Sequence, residues 1–421
     1  MSIATAIQNA QAKVAAAYTS CNAKGATMPA TQDLAHLDDC IDSIPTGGGA
    51  AVEEKEINFW DWDGTLVASW ALSELQGKTE LPTQPEHQGF TNQGWNWTLA
   101  QLKTENAPMD VGALAKTTDG KVRLYITILD YAIASGLTIN LKIVPKGATI
   151  DWGDGSATET FSSNSGTIAS HTYASRDSFV ITITPPTGAR MRLGYDGDGL
   201  ISNSYARPYL TRVDLADGID GYAFMLQKCI NLKSINFPVD SAIYYASSYI
   251  LRYTNIPVTI FAPRQDYSGA TALTNFSPCP LYCLPPGVLS LGDFTSPTIR
   301  RLNVPKSVTT IGNSFMNGTP ISRVCIGDSV TSLGNDALRG ELKTYIEIGA
   351  NVATLGNNAL YNAKDLVKLR FKGATPPTAG SSGVFGGLPT SCIISVPTGK
   401  LSAYQSESNY PDPNTYTYIE E

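Results

Sequence analysis

Near the start of the chain, apolar residues recur at alternating steps of four and three: Ile3, Ile7, Ala10, Val14, Ala17 and Cys21. That is the seam spacing of a coiled coil. After the break "KGATMP", Leu34, Leu37, Ile41 and Ile44 repeat it as far as Pro45. The pattern predicts two short helices in residues 1–45, and helices this short are marginal alone in water. The stripe carried by Ile3, Ile7, Val14, Leu34, Leu37 and Ile41 therefore needs a partner surface: the other helix, a symmetry mate or a different protein. Apolar spacing does not choose among these. The four-three spacing of residues 1–21 leads to the expectation of a homo-oligomer, with a trimer favoured. Residues 46–52, inside "PTGGGAAV", form a glycine-rich linker.

Residues 53–120 have a different texture. Five of the six tryptophans precede residue 100: Trp60, Trp62, Trp70, Trp95 and Trp97. "VASWALSELQG" suits one helix, "LPTQPEHQGF" a proline-marked loop, and "GWNWTL" a strand of alternating large residues. These predict a small α+β module with the rings filling its core, one or two at a ligand surface being the alternative. From 121 to 187 the pattern turns to strands: "KVRLYITIL", "LTINLKIVP", "ATIDWGDGS", "SHTYAS" and "DSFVITITPP". Their alternation of apolar and polar positions suits half-buried sheets. Residues 188–209 connect these strands to the last half of the chain.

That last half repeats itself. "VPKSVTTIGNSFM", "IGDSVTSLGNDAL" and "IGANVATLGNNAL" begin at 304, 326 and 348, a period of 22. Val308, Val330 and Val352 align, as do Ile311, Leu333 and Leu355, then Gly312, Gly334 and Gly356, then Asn313, Asn335 and Asn357. A short strand precedes each unit, and "LTRVDL" at 210 is answered by "LKSINF" at 232. A repeat of this length is a solenoid signature, because each unit has an apolar face that only the next can cover. The solenoid is assigned to 210–396 and a cap to 397–421, with 240–298 irregular. The glycine is expected to allow the bend after the strand, and the asparagine to bond exposed backbone. Within the irregular part, "SAIYYASSYILRYTN" supplies Tyr244, Tyr245, Tyr249 and Tyr253 as ligand-contact candidates, since tyrosine and serine give rigid contacts and adaptable hydrogen bonds.

Composition narrows the function. The chain has 421 residues, 42% hydrophobic and only 16% charged, and its 37 glycines and 25 prolines suit short strands and many turns. A net charge of −7 without a basic run argues against nucleic acid. No window of 18 apolar residues is present, so no membrane-spanning helix is expected. The start lacks the pattern of a secretory signal, so assembly in the cytoplasm is expected. Seven scattered cysteines without paired spacing are read as free thiols, and no metal or other cofactor is expected.

"FWDWDGTL" matches the nucleophile motif of haloacid-dehalogenase-like phosphotransferases, whose two aspartates are here Asp61 and Asp63. That chemistry needs further groups from the strand ends of a doubly wound α/β domain. The sequence after Leu66 offers no such series of units, so both aspartates are read as turn and strand-end residues. "DGDG" at 196–199 lacks the far acidic ligand of a calcium loop. His36, His87 and His171 stand apart in sequence, and His171 is expected to cap a strand. No catalytic residue is assigned, and the chain is not expected to be an enzyme.

"DWGDGS", "HTY" and "FVITIT" together resemble the polycystic-kidney-disease-type β-sandwich, an immunoglobulin-like module. That resemblance implies Trp152 in the core, a tight turn at Asp154-Gly155, and a strand through His171-Thr172-Tyr173. The 22-residue units resemble BspA-like leucine-rich repeats. "IISVPTGKLSAYQSESNY" resembles that family's closing segment, which implies a final tyrosine-containing helix over the stack. Residues 1–45 resemble N-terminal segments of phage tail-associated proteins, and "FWDWDGTL…QGWNWTL" a module of gut phages and prophages. These last two imply a virion protein of the tail tip, baseplate or fibre. Its N-terminal segment would join other virion proteins and its repeats would bind a host surface glycan or protein. The alternatives are a bacterial BspA-like surface adhesin and a capsid or collar decoration fibre. The overall expectation is a multi-domain, mainly β chain: short N-terminal helices, a small α+β module, an immunoglobulin-like β-sandwich and a leucine-rich-repeat solenoid.

Overall fold

The computed structural model describes residues 14, 15, 18, 31, 54–128, 136–144, 146–162, 168–194, 199–221, 225–240, 254–260, 281–284, 286–288, 290–291, 301–319, 321, 323–341, 343–381 and 383–421. Two compact units result, residues 1–53 and residues 54–421. In the first, Val14, Ala15 and Tyr18 are helical and Tyr18 is buried. Ile3, Ile7, Leu34, Leu37 and Ile41 lie outside the described residues.

The second unit is mainly β, with few and short helices. It opens with β1 (Ile57–Trp60), β2 (Leu66–Trp70), β3 (Phe90–Trp95), α1 (Leu99–Glu105) and β4 (Met109–Thr117), in a sheet ordered β2-β1-β4-β3. Asp63-Gly64 makes the tight turn of a β1–β2 hairpin, with Gly64 at φ 93° and Asp61 N–H donating to Thr65 O at 2.8 Å. Asp-Gly between two strands favours such a turn. "VASWALSELQG" is thus not one helix: it is β2 followed by a 3₁₀ helix at Leu72–Gly77. "GWNWTL" also splits. β3 ends at Trp95, and Thr98 caps α1 in a capping box with Gln101, which satisfies N–H groups that the first helical turn leaves unpaired. One face of the sheet holds a core of its own, including Phe59, Trp70, Trp95, Trp97 and Leu102.

Next come β5 (Val122–Thr127), β6 (Leu137–Leu141), β7 (Ile143–Val144), β8 (Thr149–Asp151), β9 (Glu159–Thr160), β10 (Ala169–Tyr173), β11 (Ser178–Thr184) and β12 (Met191–Leu193). Inward residues alternate with half-exposed ones along β5, β6 and β11. These strands are continuous with the first turns of the solenoid: β13 (Leu210–Asp214), β14 (Ile219–Gly221) and β15 (Ser234–Ile235). The order β15-β13-β5-β11-β8-β9 makes one six-stranded sheet, and β14-β12-β7 a second. β13 pairs antiparallel with β5 on one side and parallel with β15 on the other. The edge and the apolar end of the first coil are thereby covered, as a solenoid terminus requires.

The solenoid continues through β16 (Thr259–Ile260) and β17 (Tyr282–Cys283) into two stacked parallel sheets. One contains β18 (Ser290–Leu291), β20 (Thr310–Ile311), β22 (Ser332–Leu333), β24 (Thr354–Leu355) and β26 (Thr378–Ala379). The other, the outer sheet, contains β19 (Arg301–Asn303), β21 (Arg323–Cys325), β23 (Tyr345–Ile348), β25 (Lys368–Phe371), β27 (Ile393–Val396) and β28 (Thr417–Glu420). Leu302, Val324, Ile346, Leu369 and Ile394 stack in register inside. The 22-residue period is read directly in the pairing of Arg323 with Tyr345 and of Ser332 with Thr354.

The recurring glycine does something other than bend the chain. A Cβ on Gly334 would sit 2.6 Å from Asn313 N, and one on Gly356 2.5 Å from Asn335 N. Glycine is there so that successive coils can touch. The left-handed backbone falls two residues later, at Ser314, Asp336 and Asn358, with φ between 54° and 57°. The asparagines bond as expected: Asn335 N–H donates to Asn313 Oδ1 and Asn357 N–H to Asn335 Oδ1, each at 2.9 Å. At the far end, α2 (Leu401–Gln405) brings Tyr404 into the core against Phe371, with its hydroxyl donating to Gly373 O at 2.8 Å.

The first module lies along the solenoid's flank. A Cβ on Gly112 of β4 would come 2.4 Å from Ile260 Cγ2, so the contact needs glycine. Asn96 Nδ2 donates to Cys283 O at 3.0 Å, and Trp97 Nε1 to Leu284 O at 2.7 Å. Asn236 Nδ2 donates both to Ala115 O and to Leu215 O. β4 is consequently buried on both faces along almost all its length.

Candidate functional site

The outer sheet turns a polar face to solvent. Two columns run across it in register: Arg323, Tyr345 and Lys368 in one, and Cys325, Glu347 and Arg370 in the other. Parallel pairing spaces the members of a column about 4.8 Å apart. The Arg323 guanidinium lies 4.6 Å from the centre of the Tyr345 ring. Tyr345 donates its hydroxyl to Glu347 Oε2 at 2.8 Å, and Arg370 Nη1 reaches the same oxygen at 3.2 Å. Lys372 Nζ is 2.7 Å from Asp328 Oδ1. Lys368 Nζ is 2.6 Å from Glu421 Oε1. Burial and the Glu347 carboxylate raise the Tyr345 pKa, and burial raises that of the Cys325 thiol. Both stay protonated near neutrality, which leaves the face a mosaic of fixed donors and acceptors.

A cleft of about 230 Å³ runs where this face meets the first module, lined by Lys55, Glu56 and Pro108 on one side and Asn303, Arg323 and Cys325 on the other. It opens into a second depression, also about 230 Å³, that reaches Lys306, Asp328, Glu347 and Lys372. Internal hydrogen bonds set its walls. Asp110 accepts from Trp60 Nε1 and from Asn303 Nδ2, each at 2.8 Å. Glu105, buried and with its pKa raised by that burial, accepts from the Lys306 backbone N–H. Side chains held this way suit binding at low entropic cost.

The tyrosines Tyr244, Tyr245, Tyr249 and Tyr253 lie outside the described residues, as do the turn at 196–198 and His36. Asp61 is at the end of β1, 3% exposed at its side chain, with Oδ2 2.6 Å from His87 Nε2 and Oδ1 accepting from Trp62 N–H. Burial raises its pKa against the opposing pull of His87. The carboxylate is turned inward onto a histidine and a backbone amide. His171 differs from its expected capping role. It sits within β10, stacked on Trp152 at 4.9 Å, with Nε2 2.7 Å from Asp154 Oδ2. Trp152 is buried, and Gly155 is in the left-handed region at φ 86°. Ser156, through its hydroxyl and its N–H, and then His171 hold the Asp154 carboxyl down at about 2.

Sequence reasoning missed these two Asp-His-Trp clusters, whose histidines lie 26 and 17 residues from their aspartates. The available signal was a tryptophan close to the aspartate in sequence, at Asp61-Trp62 and at Trp152-Gly153-Asp154. Among the described residues, no three His, Cys, Asp or Glu side chains are grouped to hold a metal ion. Cys229, Cys283, Cys325 and Cys392 are free thiols. No described helix is long and apolar enough to cross a membrane.

Residues 284–377 match the family model described as BspA type leucine-rich repeat region, in six copies. The match begins within the stretch 240–298 read as irregular, and takes in β18, which pairs in register with β20. Among solved structures, a leucine-rich repeat protein from Bacteroides ovatus is similar at 16% identity, over 54% of this chain and 68% of that one, with a TM-score of 0.27. No curated protein matches the chain. The parallel coils within residues 284–377 are thus repeats of the BspA leucine-rich type.

Proposed function

We propose that the chain is a surface-binding repeat protein of the adhesin kind, which holds a macromolecular partner on the outer solenoid sheet and in the adjoining cleft. The observation that carries this reading is the in-register mosaic of Arg323, Tyr345, Glu347, Lys368 and Arg370. These groups are pre-paired, half exposed and repeated at strand spacing, as a broad recognition face requires. Binding without turnover fits the inward-turned Asp61. The strands of 121–187 are read as an immunoglobulin-like spacer that also closes the solenoid's first coil. Residues 1–45 are read as an assembly segment joining identical chains, a trimer being the form expected.

The test uses the fluorescently labelled full-length chain on intact epithelial cells and on intact bacterial cells. Saturable binding to one surface is expected, falling at least about tenfold when Tyr345→Ala and Arg370→Ala are combined, the size of loss expected for two partly exposed contacts. Equal binding by a variant with an unchanged melting curve removes the outer face from the proposal. A virion fibre is the second reading, favoured by the resemblance of residues 1–45 to phage tail-associated proteins and of "FWDWDGTL…QGWNWTL" to a module of gut phages and prophages. Mass spectrometry of purified particles decides it: the peptides of this chain must be present in stoichiometric amount.

A further inference from the structure

A second concave site lies away from the outer sheet, where the first module, β5 and the first solenoid coil meet. Its volume is about 260 Å³, and its lining includes Gln88, Phe90, Asp119, Arg123, Tyr125 and Arg212. The floor is rigid. Asp214, 4% exposed at its side chain, accepts from Arg212 Nε at 2.6 Å and Nη2 at 3.2 Å, and from the Tyr125 hydroxyl at 2.8 Å. The Arg212 guanidinium carbon is 4.8 Å from the Tyr125 ring centre, 5.6 Å from Phe90 and 6.0 Å from Trp62. One wall is the turn at 87–90, with Gly89 at φ 85° and its carbonyl accepting from Thr118 N–H at 3.0 Å. The other wall is Arg123, which grips both oxygens of Asp119.

We propose that this pocket binds a neutral saccharide, one terminal sugar ring deep. Three observations carry the inference. The volume falls below the roughly 300 Å³ at which pockets for drug-sized ligands begin, which limits the occupant to about one ring. The two arginines are each matched by an aspartate, so the cluster Asp119, Arg123, Arg212 and Asp214 carries no net charge to attract an ion. What it offers is planar polar edges beside half-buried aromatic carbon. Arg212 Nη1 and the Gln88 amide make no hydrogen bond among the described residues and both line the pocket. Adjacent hydroxyls on a sugar ring fit a planar pair of donors or acceptors, while its C–H face covers ring carbon such as that of Phe90 and Tyr125.

The site is separate from the outer sheet, so the proposal stands or falls independently of the surface-binding reading. Saturation-transfer NMR and calorimetric titration of the full chain test it, with glucose, galactose, mannose, N-acetylglucosamine and N-acetylneuraminic acid as probes. At least one neutral sugar is expected to saturate the chain in the millimolar range typical of a single small ring, about −4 kcal/mol. Arg123→Ala and Gln88→Ala, both on the rim, are each expected to weaken that sugar by about tenfold, the loss of one good hydrogen bond. Lys372→Ala, in the other cleft, should leave it unchanged. The proposal is overturned if no neutral sugar saturates, if only N-acetylneuraminic acid binds, or if the two rim variants bind as the parent does. Melting curves of each variant separate lost binding from lost folding.

Discussion

Lys343 is a fully buried lysine without a carboxylate partner among the described residues, its ammonium donating to Thr319 O at 3.2 Å and Arg339 O at 3.3 Å. Burial lowers its pKa to about 8 from 10.5. Below pH 8 both folded and unfolded chains hold the proton, and the fold bears the full cost of the buried charge, on the order of 3 kcal/mol. Between pH 8 and 10.5 the unfolded chain keeps a proton that the folded chain has released, so this group makes stability rise with pH. Lys343→Met should therefore stabilise the protein at pH 7 by about 1–3 kcal/mol. The gain should shrink as pH climbs through that window, as read by urea midpoints at several pH values. A gain that does not change with pH would contradict the assignment. Gly334 shows the opposite constraint, lack of room. Gly334→Ala places a carbon 2.6 Å from backbone, and about 1–3 kcal/mol of stability should be lost. The same change at Gly155 meets no such contact among the described residues, though its left-handed φ still costs about 1 kcal/mol. Little of this is legible in the sequence: the repeat marks Gly334 as special, but only stacked coils reveal that closeness and not turn geometry is the reason.

At the scale of elements, the asparagine ladder joins one coil to the next through side chain and backbone. Each rung lies at the surface, where a hydrogen bond contributes about 0.5–1 kcal/mol. Asn313→Ala removes the acceptor for Asn335 N–H, and Asn335→Ala the acceptor for Asn357 N–H. The double variant is expected to lose more than either single variant, because each substitution deletes a different bond. Hydrogen exchange should quicken at the amides of Asn335 and Asn357 first. Unaltered exchange at these two amides would mean that the ladder does not hold the coils. Short elements are where sequence patterns mislead. "GWNWTL" has the alternation of a strand, yet Thr98 and Gln101 form a capping box, a local signal that decides the helix once Trp97 turns to reach Leu284. "VASWALSELQG" has helix-forming residues, yet the Asp63-Gly64 turn commits its first half to a hairpin with β1.

For the whole of residues 54–421, the parts share structure. The 121–187 strands extend into the first solenoid coil, and β4 is pressed between its own core and Ile260. Gly112→Val should drive β4 off the solenoid, with an overpacking cost of about 1–3 kcal/mol or more. Exchange protection should fall together in Met109–Thr117 and in Thr259–Ile260. If only the former loosens, the two are not coupled. Opening this contact should also widen the cleft beside Pro108 and Asn303, so binding at the outer face is expected to weaken along with it.

The sequence by itself determined the periodic features: the 22-residue coils, their inward valine and leucine stripes and the alternating strands of 121–187. Each depends on neighbours a few residues away or on a translation by a fixed period, and both are written along the chain. Tertiary structure alone decided the rest. It brought His87 to Asp61 and His171 to Asp154, set Arg212 against Trp62, Phe90 and Tyr125, and turned consecutive segments into continuous sheets. Those contacts join residues whose separations follow no period, and their energy comes from burial and pairing that exist only after the coils have stacked.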